Sequence, residues 1–143
     1  MKTLGICFGS TTIQCVQINL EQNNPQIIAV KRITHEGNPA NAFLNFLKKI
    51  NIEEIDRIAV TGRSFRNSVK LTSISEPQAV ETAIKKQYKN GSYPEVLISS
   101  GGETQLVYII DKNGCISAVH SGNKCASGTG EFFIQQVRRM GLT

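Results

Sequence analysis

The stretch TLGICFGSTTIQCVQIN, residues 3–19, decides the fold. TLGICF (3–8) is a short apolar run of strand length, and IQCVQIN, from Ile13, is a second. GSTT (9–12) joins them as a polar turn. A glycine there lets the backbone bend and approach a ligand closely, so that several N–H groups converge on an oxyanion. Ser10 and Thr11 add hydroxyls. A turn rich in Gly, Ser and Thr also serves as a plain hairpin turn. It is not a P-loop, because no lysine follows the glycine at the required place.

Outward from that stretch, the second strand has two apolar sets, Ile13 with Cys15 and Val16 with Ile18, which leave its inward face open. A polar turn (21–25) leads to a third strand at about 26–33, QIIAVKRI. Three strands with short connections predict an antiparallel meander. Asn38 and Pro39 then suit the cap and first position of a helix whose Phe43, Phe46, Leu47 and Ile50 share one face. RIAVT (57–61) reads as a strand ended by Gly62 and followed by the basic loop RSFRN. The pattern has changed from meander to alternating β and α, an α/β class. Ser75-x-x-Gln78, with Pro77 in the first turn, opens a helix carrying Val80, Ile84 and Tyr88 on one face and ending at Asn90–Gly91. Strands VLIS (96–99), QLVYII (105–110) and CISAVH (115–120) follow, joined by SGGE and DKNG turns.

The two halves therefore start alike. Each has strand, glycine-containing polar turn, strand, turn, strand and then a helix, the last from about residue 130. An internal duplication with an unfinished second copy is the simplest account, and it makes the chain part of something longer; a genuinely short protein is the alternative. GSTT (9–12) and SGGET (100–104) occupy matching places, so they are expected to face each other across a cleft and grip a polyphosphate. Thr104 would add a further hydroxyl.

The C-terminal run GNKCASGTGEFFIQQVRRM (122–140) combines Cys125, a Gly128-Thr129-Gly130 turn and an amphipathic segment. Glu131 in its first turn and Arg138 and Arg139 in its last suit the helix dipole. Free N–H groups at such a helix start favour phosphate or thiolate. Cys125 is a metal or cluster ligand on one reading and a small buried residue on the other.

The 143 residues suffice for a core, and 40% hydrophobic with 19% charged is an ordinary globular composition. Sixteen Lys and Arg against eleven Asp and Glu give a net charge of +5. The positive residues are scattered and do not interleave with the few aromatics, so no nucleic-acid partner is expected. No signal peptide or membrane span is read, and a reducing cytoplasm is the expectation for Cys7, Cys15, Cys115 and Cys125. No two of these cysteines have CxxC spacing, and Cys7, Cys15 and Cys115 are read as packing residues of strands. His35 and His120 stand alone and are read as surface or strand residues, not zinc ligands.

GICFGSTT resembles the first phosphate motif of the actin-like ATPase superfamily, and SSGGET resembles the second. ISEPQAVETA is similar to the helix connecting its two lobes. NKCASGTGEFF, with TGRSFRN, resembles the BadF/BcrA-type activators of 2-hydroxyacyl-CoA dehydratases and benzoyl-CoA reductases. The resemblance implies an actin-like, ribonuclease-H-like fold, with a first lobe at 1–92 and the start of a second at 93–143. It also implies an ATPase activator working as a homodimer. A 4Fe–4S cluster shared between its subunits would deliver low-potential electrons to a dehydratase or reductase. By position, Gly9, Ser10, Thr11, Thr12, Gly101, Gly102 and Thr104 would hold phosphate of ATP or ADP, and Cys125 would be a cluster thiolate. Glu76 would orient the attacking water, the alternative being a helix-dipole role.

The chain departs from the family pattern where that pattern carries acids that position hydrated Mg²⁺: here stand Cys7 and Ser99. Glu103 is a partial substitute. A second cluster cysteine and an adenosine loop would lie beyond Thr143, so the chain by itself is expected to have little ATPase activity and no stable cluster. The rival readings are a non-catalytic actin-like module that binds a nucleotide or a protein, and a small-molecule kinase of the same superfamily.

Overall fold

A computed structural model describes residues 1–21, 24–62, 64–88, 90–102, 104–122 and 137–141. The chain divides into two compact units, Met1–Glu76 and Pro77–Thr143.

The first unit holds β1 (Lys2–Phe8), β2 (Thr12–Glu21), β3 (Asn24–Thr34), α1 (Pro39–Leu47), β4 (Arg57–Gly62) and β5 (Thr72–Ser73). They form one sheet in the order β3-β2-β1-β4-β5. The expected meander is present, since β1, β2 and β3 pair antiparallel in sequence. After α1 the chain crosses over, and β4 lies parallel to β1 with Cys7 opposite Thr61 and Phe8 opposite Gly62.

Side-chain alternation fixes which face is inside. Leu4, Ile6 and Phe8 of β1 are buried, and Ile6 faces Cys15 while Phe8 faces Ile13 across the antiparallel ladder. Directly opposed residues share a face, so Ile13 and Cys15 join the core, and Val16 and Ile18 fall on the other side. This resolves the ambiguity of the second strand. Phe43 and Phe46 of α1 close the core from above. Asn38 caps that helix, its Oδ1 accepting from the Asn41 N–H at 3.1 Å; such a cap contributes about 1 kcal/mol.

Phe8 sits at the centre. Its ring meets Phe43 and Phe65 edge-on, with centroids 5.1 and 5.0 Å away. Gly62 lies opposite with φ +97°, and a Cβ there would come within 2.8 Å of the Phe8 nitrogen and closer still to its oxygen. Only glycine lets β4 end this close to β1. Beyond it, Ser64–Ser68 forms a short 3₁₀ turn where the sequence reads as a plain basic loop.

The second unit holds β6 (Val96–Ser100), β7 (Gln105–Ile110) and β8 (Ile116–Ser121), antiparallel in that order. Helix α2 (Glu76–Gln87) starts at the boundary residue. Its Glu81 accepts from the Ile116 N–H at 2.9 Å, and its Lys85 donates to Glu81 at 2.8 Å and to the Cys115 sulfur at 3.0 Å. These contacts join α2 to the β7–β8 hairpin. Among the described residues, no helix is long and apolar enough to cross a membrane. The helix expected from about 130 falls largely outside the described residues, of which 137–139 are helical.

Two predictions follow from this packing. Phe8→Ala removes a buried aromatic from between two others and is expected to cost about 3–5 kcal/mol in urea unfolding. A loss below about 1 kcal/mol, the range of surface changes, would contradict the core assignment. Cys15 gives a pH signature. Burial first, then its neighbour Cys7, push this thiol up from 9.0 to about 11. The folded state therefore holds its proton more tightly than the unfolded state does. The stability this contributes is complete below about pH 9 and is lost as pH rises towards 11. The urea midpoint should fall across that window, and fall less in Cys15→Ala.

Candidate functional site

The C-terminal ends of β1 and β4 bring Cys7, Gly9, Thr61 and Gly62 together at one edge of the first unit. In sheets with parallel strands, ligands bind beyond those ends. Phe8 is anchored in the core, so the chain leaves the sheet at residue 9 and must return as β2 from Thr12. The intervening turn is tight: the Gly9 N–H donates to the Thr12 carbonyl at 2.9 Å. A Cβ on Gly9 would lie 2.8 Å from that same carbonyl oxygen, so glycine is required.

Three of the turn's four carbonyls have partners among the described residues. Thr12 O accepts from Gly9 N–H, Thr11 O from His35 N–H at 3.1 Å, and Gly9 O lies 3.2 Å from His35 Nε2. Neither the Ser10 nor the Thr11 N–H has a backbone acceptor among the described residues. Two N–H donors left over while three of the four carbonyls are taken is an arrangement that an anion can use.

The second unit repeats this turn. The Gly101 N–H donates to the Thr104 carbonyl at 2.7 Å, and a Cβ on Gly101 would lie 3.3 Å from that oxygen. Gly9 with Thr12 and Gly101 with Thr104 thus share one hydrogen bond at one spacing, each between two antiparallel strands. Ser99 lies on β6, opposite Leu106.

Around the first turn, Cys7 and Thr61 are neighbours on β1 and β4. Burial, and after it the Glu76 carboxylate, push the Cys7 thiol up from its ordinary value. Cys7 and Glu76 are therefore near enough to interact. The Thr61 Oγ1 is buried with no hydrogen-bond partner among the described residues. Arg66 of the basic loop donates to the Ile74 carbonyl at 2.9 Å, which ties that loop to the segment leading into Glu76.

A hard divalent cation takes oxygen ligands. Cys7 presents a sulfur that its surroundings keep protonated, so it does not fit the place of a magnesium-positioning acid. Among the described residues no three His, Cys, Asp or Glu side chains are placed to hold a metal. Cys7 and Cys15 lie on opposite faces of the first sheet, and Cys115 belongs to the second unit. Cys125, Glu103 and the Gly128-Thr129-Gly130 turn lie outside the described residues.

His35 is the residue that sequence reasoning missed. It is only 7% exposed, although it follows a polar strand end. An isolated histidine before Glu36-Gly37 carries no motif; only the β2–β3 register brings it back to residue 11.

No protein-family model and no curated protein matches the chain. Solved structures do. The activator of the 2-hydroxyisocaproyl-CoA dehydratase from Clostridium difficile, solved with bound ADPNP, is 25% identical, and the match covers 100% of this chain and 53% of that one at a TM-score of 0.71. Component A of the (R)-2-hydroxyglutaryl-CoA dehydratase from Acidaminococcus fermentans is 24% identical over 100% of this chain and 55% of that one, at 0.77. An exopolyphosphatase from Cytophaga hutchinsonii shares 14% identity over 94% of this chain and 53% of that one, at 0.63. The fold is thus the actin-like ATPase fold, and the resemblance read from the motifs is borne out by these structures. The chain spans about half the length of the structures it matches.

Thiol chemistry tests the electrostatics of the site. Cys115 has the Lys85 ammonium at 3.0 Å, whereas Cys7 is pushed up by burial and by Glu76. Under iodoacetamide at about pH 8, Cys115 should be alkylated faster than Cys7 by about tenfold or more, as read by peptide mass spectrometry. Equal rates would show that Cys7 is a reactive thiolate and would undo the argument against its fit.

Proposed function

We propose that this chain belongs to an ATP-dependent activator of a CoA-ester dehydratase or reductase, and that its two glycine turns hold the phosphates of the nucleotide. The observation that carries this reading is the match over the whole chain to two proteins of dehydratase systems, one of them solved with ADPNP. The repeated turn, Gly9 to Thr12 and Gly101 to Thr104, supplies its chemistry.

In this reading, N–H groups and hydroxyls of Ser10, Thr11 and Thr12 bind phosphate oxygens, as do the Gly102 N–H and the Thr104 hydroxyl, while Gly9 and Gly101, whose N–H groups close the turns, let the backbone approach the anion. Residues 1–92 are the first phosphate-binding lobe and 93–143 begin the second. Glu76 orients the attacking water; its carboxylate is close enough to Cys7 to push that thiol up. Magnesium, when bound with the nucleotide, would screen the phosphate charge; Cys7 and Ser99 offer it no carboxylate. The complete protein works in the cytoplasm as a homodimer. Cys125 of each of two copies, with a second cysteine elsewhere, would hold a 4Fe–4S cluster, which would supply the low-potential electrons that ATP hydrolysis would help deliver to the dehydratase or reductase.

A second reading is favoured by one observation, the loss of both motif acids at Cys7 and Ser99. A lobe that keeps its phosphate turns but not its magnesium-positioning groups can bind nucleotide without turning it over.

Iron analysis separates the two. The intact protein, purified without oxygen, should carry about four irons per two chains on the activator reading. Cys125→Ala should lose them and still bind ADPNP. Nucleotide binding with no iron and no ATP hydrolysis would select the binding module instead.

A further inference from the structure

We infer that His35 is a positioning residue for the first phosphate turn, holding two of its peptide planes so that their N–H groups face the anion. The inference rests on the phosphate-binding reading of that turn and adds a residue that no motif contains.

The geometry is specific. His35 makes two contacts to the turn, its backbone N–H to Thr11 O at 3.1 Å and its ring Nε2 to Gly9 O at 3.2 Å. A carbonyl only accepts, so Nε2 carries the hydrogen of this pair. The other ring nitrogen, Nδ1, is buried without a hydrogen-bond partner among the described residues. The ring is therefore not held for the sake of its own solvation; its one polar contact is the one to the turn. The residue's carbonyl is fastened too, accepting from the Asn38 N–H at 2.6 Å, and Asn38 is the cap of α1. Turn and helix are tied through this one side chain and its backbone.

The consequence follows from the planarity of the trans peptide, in which C=O and N–H point to opposite sides. Fixing Gly9 O on His35 turns the Ser10 N–H the other way. Fixing Thr11 O on the His35 N–H does the same for the Thr12 N–H. Glycine at position 9 gives the first of these planes the greatest freedom to flip. A flip would put a carbonyl oxygen where the anion needs a donor. His35 Nε2 is the group that opposes the flip, because the backbone contact at Thr11 does not reach that plane.

The test uses His35→Phe, which keeps the ring volume and the backbone contact but loses the donor, and His35→Gln, which restores a donor. In the intact protein, His35→Phe should weaken ADPNP binding about fivefold to tenfold, the worth of one well-placed hydrogen bond. His35→Gln should recover part of the affinity. Protection of the Gly9 amide against hydrogen exchange, measured without nucleotide, should fall in His35→Phe and return in His35→Gln. A merely structural role would lower the unfolding temperature of both variants and leave the affinity of the folded protein unchanged; that result overturns the inference. If the wild type fails to bind ADPNP while the exchange pattern follows the variants, the phosphate reading is what fails, and the positioning role falls with it. If exchange at Gly9 is the same in all three proteins, His35 does not hold the turn.

Discussion

Phe8 is the fixed point on which the first unit depends. It is the last residue of β1, 1% exposed, with Phe43 of α1 and Phe65 edge-on to its ring. Three segments distant in sequence meet on it. Burying one such side chain is worth roughly 1.5–3 kcal/mol. Its backbone matters as much, because Gly62 packs against it with no room for a side chain. The anchored ring determines where β1 ends, and therefore where the turn at Gly9 begins. The turn is held by contacts that do not involve the Ser10 and Thr11 N–H groups.

The two units illustrate how one local solution is used twice. Each turn closes with a glycine N–H donating to the carbonyl three residues on, between antiparallel strands. The surroundings differ. In the first unit the turn is gripped from β3 by His35. In the second, the next hairpin, between β7 and β8, is held by Asp111 and by Glu81 and Lys85 of α2, which contact the Ile116 N–H and the Cys115 sulfur.

Much of this was legible from periodicity and turn chemistry. The meander, the Asn38-Pro39 start of α1, the strand before Gly62 and all three strands of the second unit were readable, because each is bounded by glycine, proline or asparagine. Less was legible where long-range pairing decides. Whether Ile13 and Cys15 or Val16 and Ile18 face inward depends on the register with β1, which no local pattern states. The parallel pairing of β1 with β4 and the two-residue strand β5 depend on the crossover. His35 was read as a surface or strand residue and is a buried clasp, since its partner lies 26 residues away. The glycine turns were visible as motifs, but which of their groups are engaged is a property of the fold.

The central claim is that these two turns bind one kind of anion, the phosphates of a nucleotide. The most direct measurement is amide NMR of the intact, ¹⁵N-labelled protein titrated with ADPNP. The account predicts that the largest shifts fall on the amides of residues 10–12 and 101–104, and that both sets saturate together. Shifts confined to other parts of the chain, or to one turn without the other, would contradict it.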